Sequence, residues 1–154
     1  MISNMIKKVL IASALLFTSI LAHAVNPINT GGLLSWGNTA IKGYDPVAYF
    51  TESRAVEGNS NFKHEWMGAT WHFSSKENRD LFAANPKKYA PQYGGYCAYA
   101  VAQNTTASID PTQFTVLNGK LYLNYSKYVN EQWNKERSQY IIDADKNWPK
   151  ILDK

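Results

Sequence analysis

Apolar and polar residues alternate most cleanly over residues 62–73. A reversal at Met67-Gly68 sets Trp66 opposite Ala69, His64 opposite Trp71 and Phe62 opposite Phe73. Side chains alternate along a strand, so these six share one face, and Lys63, Glu65, Thr70 and His72 take the other. The pattern predicts a β-hairpin with His64 and His72 on opposite sides, where they cannot share a metal ion. A second hairpin is predicted over residues 114–124, turning at Asn118-Gly119, with Phe114, Val116, Leu121 and Leu123 as its apolar face.

Helical signals fill the gaps between the hairpins. Ser74 with Glu77 three residues on reads as a capping box, opening a helix that turns Leu81 and Phe82 inward. Asn85-Pro86 starts one more short turn through Tyr89, and Pro91 ends it. Beyond the flexible Gly94-Gly95 pair a short helix is predicted, with Cys97 in its first turn on the same face as Ala100 and Val101. Ser126 caps a long helix carrying Val129, Trp133, Tyr140, Ala144 and Trp148 at helical spacing, which Pro149 stops or kinks.

These elements imply one small α+β domain over residues 41–152, with two antiparallel β-hairpins packed against three or four helices around one core. Residues 25–40 read as an extended arm, tacked down by Leu33, Leu34 and Trp36. In residues 41–50, Gly43 and Asp45-Pro46 mark a turn before a short strand or helical turn. Residues 51–61 and 103–112 read as polar loops. No internal repeat, low-complexity tract or domain-sized linker is apparent.

Composition adds an address. Lys7 and Lys8 precede an apolar run over residues 9–21, too short to span a membrane comfortably, and Ala22-His23-Ala24 supplies small residues for cleavage. Residues 1–24 are therefore expected to be a signal peptide, leaving a periplasmic or secreted chain with no membrane span. Removing Lys7 and Lys8 lowers the formal net charge of +4 by two. What remains is too balanced to imply nucleic-acid binding. A single cysteine cannot form an internal disulfide, so stability rests on packing, to which 14% aromatic residues are suited.

Several blocks in sequence order, GYDPVAYF, GATWHFSSKENRDLF, NPKKYAPQYGGYCAYAVA and the closing KLYLNYSKYV with NWPK, resemble exported, stand-alone proteins of the YHS domain family. The resemblance covers roughly residues 41–152. It implies relatives whose metal sites are built from cysteines in patterns like D-P-V-C-G-M and Y-F-C-S-x-x-C. Those three cysteine positions correspond here to Ala48, Ser74 and Asn78, so the resemblance carries no zinc site over to this chain.

Four readings of the chemistry follow. Cys97 with His64 could form a sparse soft-metal site. Such a site suits copper, as Cu(I), better than structural zinc, which wants three or four Cys or His ligands. Cys97 near a helix start would have a lowered thiol pKa, yet no CxxC partner and no Cys-His-Asn spacing supports catalysis, so the chain is read as non-enzymatic. Tyr44, Tyr49, Tyr93, Tyr96 and Tyr99, with Asp45 beside them, could line a small-molecule pocket. An interaction domain with no ligand and a purely structural Cys97 is the fourth. The expectation taken forward is an exported YHS-type binding protein with copper as the leading ligand and the tyrosine pocket as its alternative. Phosphate-loop, HExxH and GxSxG motifs are absent from the sequence.

Overall fold

The computed structural model describes residues 24–31 and 37–154. The signal segment up to His23, and Leu33, Leu34 and Trp36 of the arm, lie outside the described residues. From the arm the chain enters a 3-10 turn at Ala40–Gly43, then α1 (Ala48–Thr51), β1 (Asn59–Trp66), β2 (Ala69–Phe73), α2 (Lys76–Ala84) and α3 (Pro86–Tyr89). It continues with a 3-10 turn at Gln92–Gly95, α4 (Ala98–Ala102), β3 (Asp110–Leu117), β4 (Lys120–Asn124), α5 (Lys127–Lys135) and α6 (Arg137–Leu152). Each strand pair is a two-stranded antiparallel sheet, so the fold is α+β as expected, with six helices among the described residues where three or four were expected.

The second half of the chain repeats the element order of the first. Both units open on three consecutive residues of positive φ: Ile41, Lys42 and Gly43 at 41°, 57° and 79°, and Tyr93, Gly94 and Gly95 at 56°, 62° and 82°. Both hairpins turn through a positive-φ pair, Met67-Gly68 at 49° and 73° and Asn118-Gly119 at 51° and 73°. Both carry an irregularity at the same place, between Asn59 and Lys63 and between Asp110 and Phe114. Ser75 caps α2 by accepting from the Asn78 N–H, and Ser126 caps α5 by accepting from the Val129 N–H. Even the main ring contact recurs: Trp71 to Phe82 at 5.1 Å and 33°, Tyr122 to Trp133 at 5.2 Å and 37°. The expectation of no internal repeat is corrected. Few paired positions share a residue, among them Gly43 with Gly95, Tyr44 with Tyr96, Gly68 with Gly119 and Ser75 with Ser126, so the repeat lives in the backbone.

Other expectations shift with it. His64 does face Trp71, and Trp66 faces Ala69, but the irregularity pairs Phe73 with Asn59 and displaces Phe62 from the predicted register. The cap of α2 is Ser75 because the Ser74 N–H and hydroxyl are spent on Asp45. The single long helix is broken at Glu136, whose φ of −133° is not helical, and Pro149 lies inside α6 without ending it. Cys97 caps the five-residue α4 and so precedes its first turn.

The predicted single core is two clusters. One holds Trp71, Phe73, Phe82 and Tyr49 of the first unit together with Cys97, Leu121 and Leu123 of the second. The other holds Tyr93, Val101, Tyr122, Trp133, Ala144 and Ile151, all from the second. Alternation along β4 explains the split: Tyr122 points one way, Leu121 and Leu123 the other. The back of the second hairpin is thus covered by the first unit, where Tyr49 meets Phe114 edge-on at 4.9 Å and donates to the Pro111 carbonyl at 2.8 Å. Val116, expected on that apolar face, is 39% exposed. On the corresponding face of the first hairpin Lys63 and Glu65 are exposed, while Thr70 and His72 are half-buried beside Thr39, Gly43 and Gly58.

The arm clamps the units together. Asn29 donates its backbone N–H to the Gly94 carbonyl and its side-chain amide to the Gly95 carbonyl, and its own carbonyl accepts from the Ile41 N–H. A Cβ on Gly94 would lie 1.9 Å from the Pro27 carbonyl oxygen, so this approach requires glycine.

Candidate functional site

Three places carry the chemistry expected from the sequence. The first is Asp45, fully buried just before α1. Its Oδ1 accepts from the N–H groups of Val47 and Ala48 at 2.8 and 3.3 Å. Its Oδ2 accepts from the Ser74 N–H at 2.8 Å, the Ser74 hydroxyl at 2.7 Å and the Asn78 amide at 2.7 Å. The fold therefore gathers Ala48, Ser74 and Asn78, the three positions aligned with cysteines in the resemblance, around one carboxylate. Both oxygens are already satisfied, and the remaining donors are hydroxyl and amide groups. This set does not fit a soft tetrahedral metal.

Cys97 occupies the same position in the second unit. Its sulfur lies within reach of the backbone N–H groups of Ala100, Tyr125 and Tyr99, the counterparts of Ala48, Ser74 and Val47. It also lies 3.6 Å from the Asn124 Oδ1, to which the thiol donates. Where Asp45 receives two further side-chain donors, the second unit offers Tyr125 and Val129. Cys97 is 1% exposed, and burial pushes its thiol up, outweighing the backbone N–H groups that act the other way. The lowered pKa expected from a helix start is thereby reversed: α4 is short and the thiol is sealed in.

His64 belongs elsewhere. Its ring packs edge-on against Phe82 at 6.1 Å, and no hydrogen bond or ring contact joins it to Cys97. Among the described residues no group of three or more His, Cys, Asp or Glu side chains could hold a metal ion.

The five tyrosines also part company. Tyr44 reaches the Glu57 carboxylate at 3.4 Å, and Tyr49 is spent on the contact between units. Tyr99 packs on Tyr140 at 5.1 Å and Tyr96 on Trp148 at 5.9 Å. Of the five, Tyr93 alone lines the third place, a groove of about 400 Å³. Its walls include Pro27 of the arm, Trp66 at the first hairpin's tip, and Asp145, Trp148 and Leu152 of α6. Tyr93 donates its hydroxyl to the Asp145 Oδ1 at 2.9 Å, and burial followed by this bond pushes its pKa up. Sequence reasoning missed Trp66, Asp145 and Trp148 as site residues. The signal available was Trp148-Pro149 near the end of an amphipathic helix, read as helical spacing and a stop or kink.

No described helix is long and apolar enough to cross a membrane. Residues 47–93 match the family model of the YHS domain. The match begins beside Asp45 and ends on Tyr93, the residue equivalent to Ile41 at the opening of the second unit, so the similarity to the YHS domain falls on the first unit. No curated protein and no solved structure matches the chain.

Proposed function

Starting from the similarity of the first unit to the YHS domain, we propose that the chain is an exported, non-enzymatic binding protein that takes a small molecule in the groove beside Tyr93 and Trp148. One observation carries this reading. The repeat pairs α3, with 4 residues, with α6, with 16, and the surplus of α6 supplies Asp145, Trp148 and Leu152 to the groove. An added element that builds a concave aromatic surface is where a binding role is best looked for, and the volume lies in the range of small-ligand sites. Export rests on the charged, apolar and small-residue segments that precede Val25. Cys97 takes a structural part in this reading, as the side chain filling the second unit's version of the Asp45 cradle, and copper is not carried forward.

Fragment screening by NMR on the protein lacking residues 1–24 tests the proposal. Hits should move the indole resonances of Trp66 and Trp148, survive Cys97→Ser and fail with Trp148→Ala. Copper uptake under reducing, anaerobic conditions that vanishes with Cys97→Ser would restore the soft-metal reading instead.

A further inference from the structure

The charges around the groove point to the class of its ligand, an inference that rests on the binding role proposed above. The ion pairs among the described residues join Arg54 to Glu52, Lys76 and Arg79 to Asp80, and Lys127 to Glu131. Asp145 takes part in none of them, although it lines the groove. Its Oδ1 is held by the Tyr93 hydroxyl, which fixes the carboxylate's orientation and leaves Oδ2 for another donor. Pro149 stands in the same helix. Having no N–H, it cannot complete the usual helical bond to the Asp145 carbonyl one turn back.

Aromatic faces complete the set. Trp148 stands 6.2 Å from Tyr93, centroid to centroid, and Trp66 comes in from the other unit. Rings of this kind attract a cation placed over their faces and also bury an apolar body. A metal ion is the poorer fit, because hard cations want six or more oxygen ligands and soft ones want sulfur or imidazole. An anion would meet an unpaired carboxylate.

We propose that the groove binds a small organic amine in its protonated form, the ammonium at Asp145 and the apolar body between Trp66, Tyr93 and Trp148. Lys87 is the one cation among the lining residues, and a ligand of this class is bound against its repulsion.

The test is calorimetric titration of the protein lacking residues 1–24 with 3-methylbutylamine and with the neutral 3-methylbutan-1-ol. The amine should bind at least about tenfold more tightly than the alcohol, the scale of a charge-assisted contact over a neutral one. Asp145→Asn, which keeps an acceptor for the Tyr93 hydroxyl, should erase that difference without weakening the alcohol. Lys87→Gln should strengthen amine binding severalfold, and it provides a readout should Asp145→Asn fail to fold. Equal binding of amine and alcohol would overturn the amine while leaving the groove as a binding site. Binding of neither, with no fragment moving Trp66 or Trp148, would remove the groove reading as well.

Discussion

The two units place the same backbone in two different circumstances. In each, backbone N–H groups gather at the side chain ahead of a short helix. Three donate to Asp45, whereas beside Cys97 the Tyr99 N–H goes to the Asn124 Oδ1. The first unit answers with a carboxylate and adds the Ser74 hydroxyl and the Asn78 amide to satisfy it. The second answers with a thiol, which needs fewer donors, and has Tyr125 and Val129 where those donors would stand. The hairpins diverge likewise: Leu121 and Leu123 are buried against the first unit, whereas their counterparts Thr70 and His72 are half-buried. What the two units share maintains the fold, and the groove arises where they differ, in the lengthened α6 and the arm that reaches across to Gly94.

The comparison is broken most severely at the cradles. Asp45→Ala leaves five donors without their acceptor and should cost about 4 kcal/mol, whereas Cys97→Ala removes one small packed group and should cost about 1 kcal/mol. Urea unfolding of both variants measures the difference. Equal losses would contradict a satisfied carboxylate in one unit and a merely packed thiol in the other.

Next come the opening turns. Gly94→Ala forces a Cβ against the Pro27 carbonyl at positive φ and should cost about 3 kcal/mol, lifting the arm. Lys42 holds the equivalent conformation at φ 57° on an exposed surface. Lys42→Gly should therefore relieve strain and change stability by less than about 1 kcal/mol. Thermal unfolding compares the pair, and a tolerated Gly94→Ala would mean that the arm does not seat on this turn.

The smallest effect belongs to the polar face of the first hairpin. Burial, aided by Lys63, pushes the pKa of His72 below its ordinary 6.5. The unfolded chain then takes up the proton first, so stability holds above pH of about 6.5 and falls as pH drops toward the folded pKa, below which the loss levels off. His72→Leu, copying Leu123, should flatten this slope. An unchanged slope would show that His72 does not titrate with folding.

The hairpins were legible because Met67-Gly68 and Asn118-Gly119 sit between alternating runs, a pattern that fixes both turn and facing. The irregularity that displaces Phe62 leaves no such mark, since an extra residue costs the alternation nothing visible. Ser74 and Ser75 are equally good caps in sequence; only the approach of Asp45, 29 residues earlier, decides between them. The break at Glu136 lies within continuous helical spacing from Trp133 to Tyr140 and Ala144, so periodicity runs straight across it. The repeat was hidden because positions that align in space carry unlike side chains, Asp45 with Cys97 and Phe82 with Trp133. The groove was hidden for another reason: Pro27, Trp66, Tyr93 and Trp148 are distant in sequence and meet only after folding.

Asp45 and Cys97 fill equivalent positions, and the two units differ in the side chains around them. A mutant cycle tests it: Cys97→Asp alone, Tyr125→Ser with Val129→Asn, and all three together, each measured by urea unfolding. Placing the first unit's donors around a carboxylate at position 97 should give a favourable coupling of about 2 kcal/mol, so that the triple variant loses less than the sum of its parts. Additive losses, with no coupling between position 97 and positions 125 and 129, would contradict the equivalence.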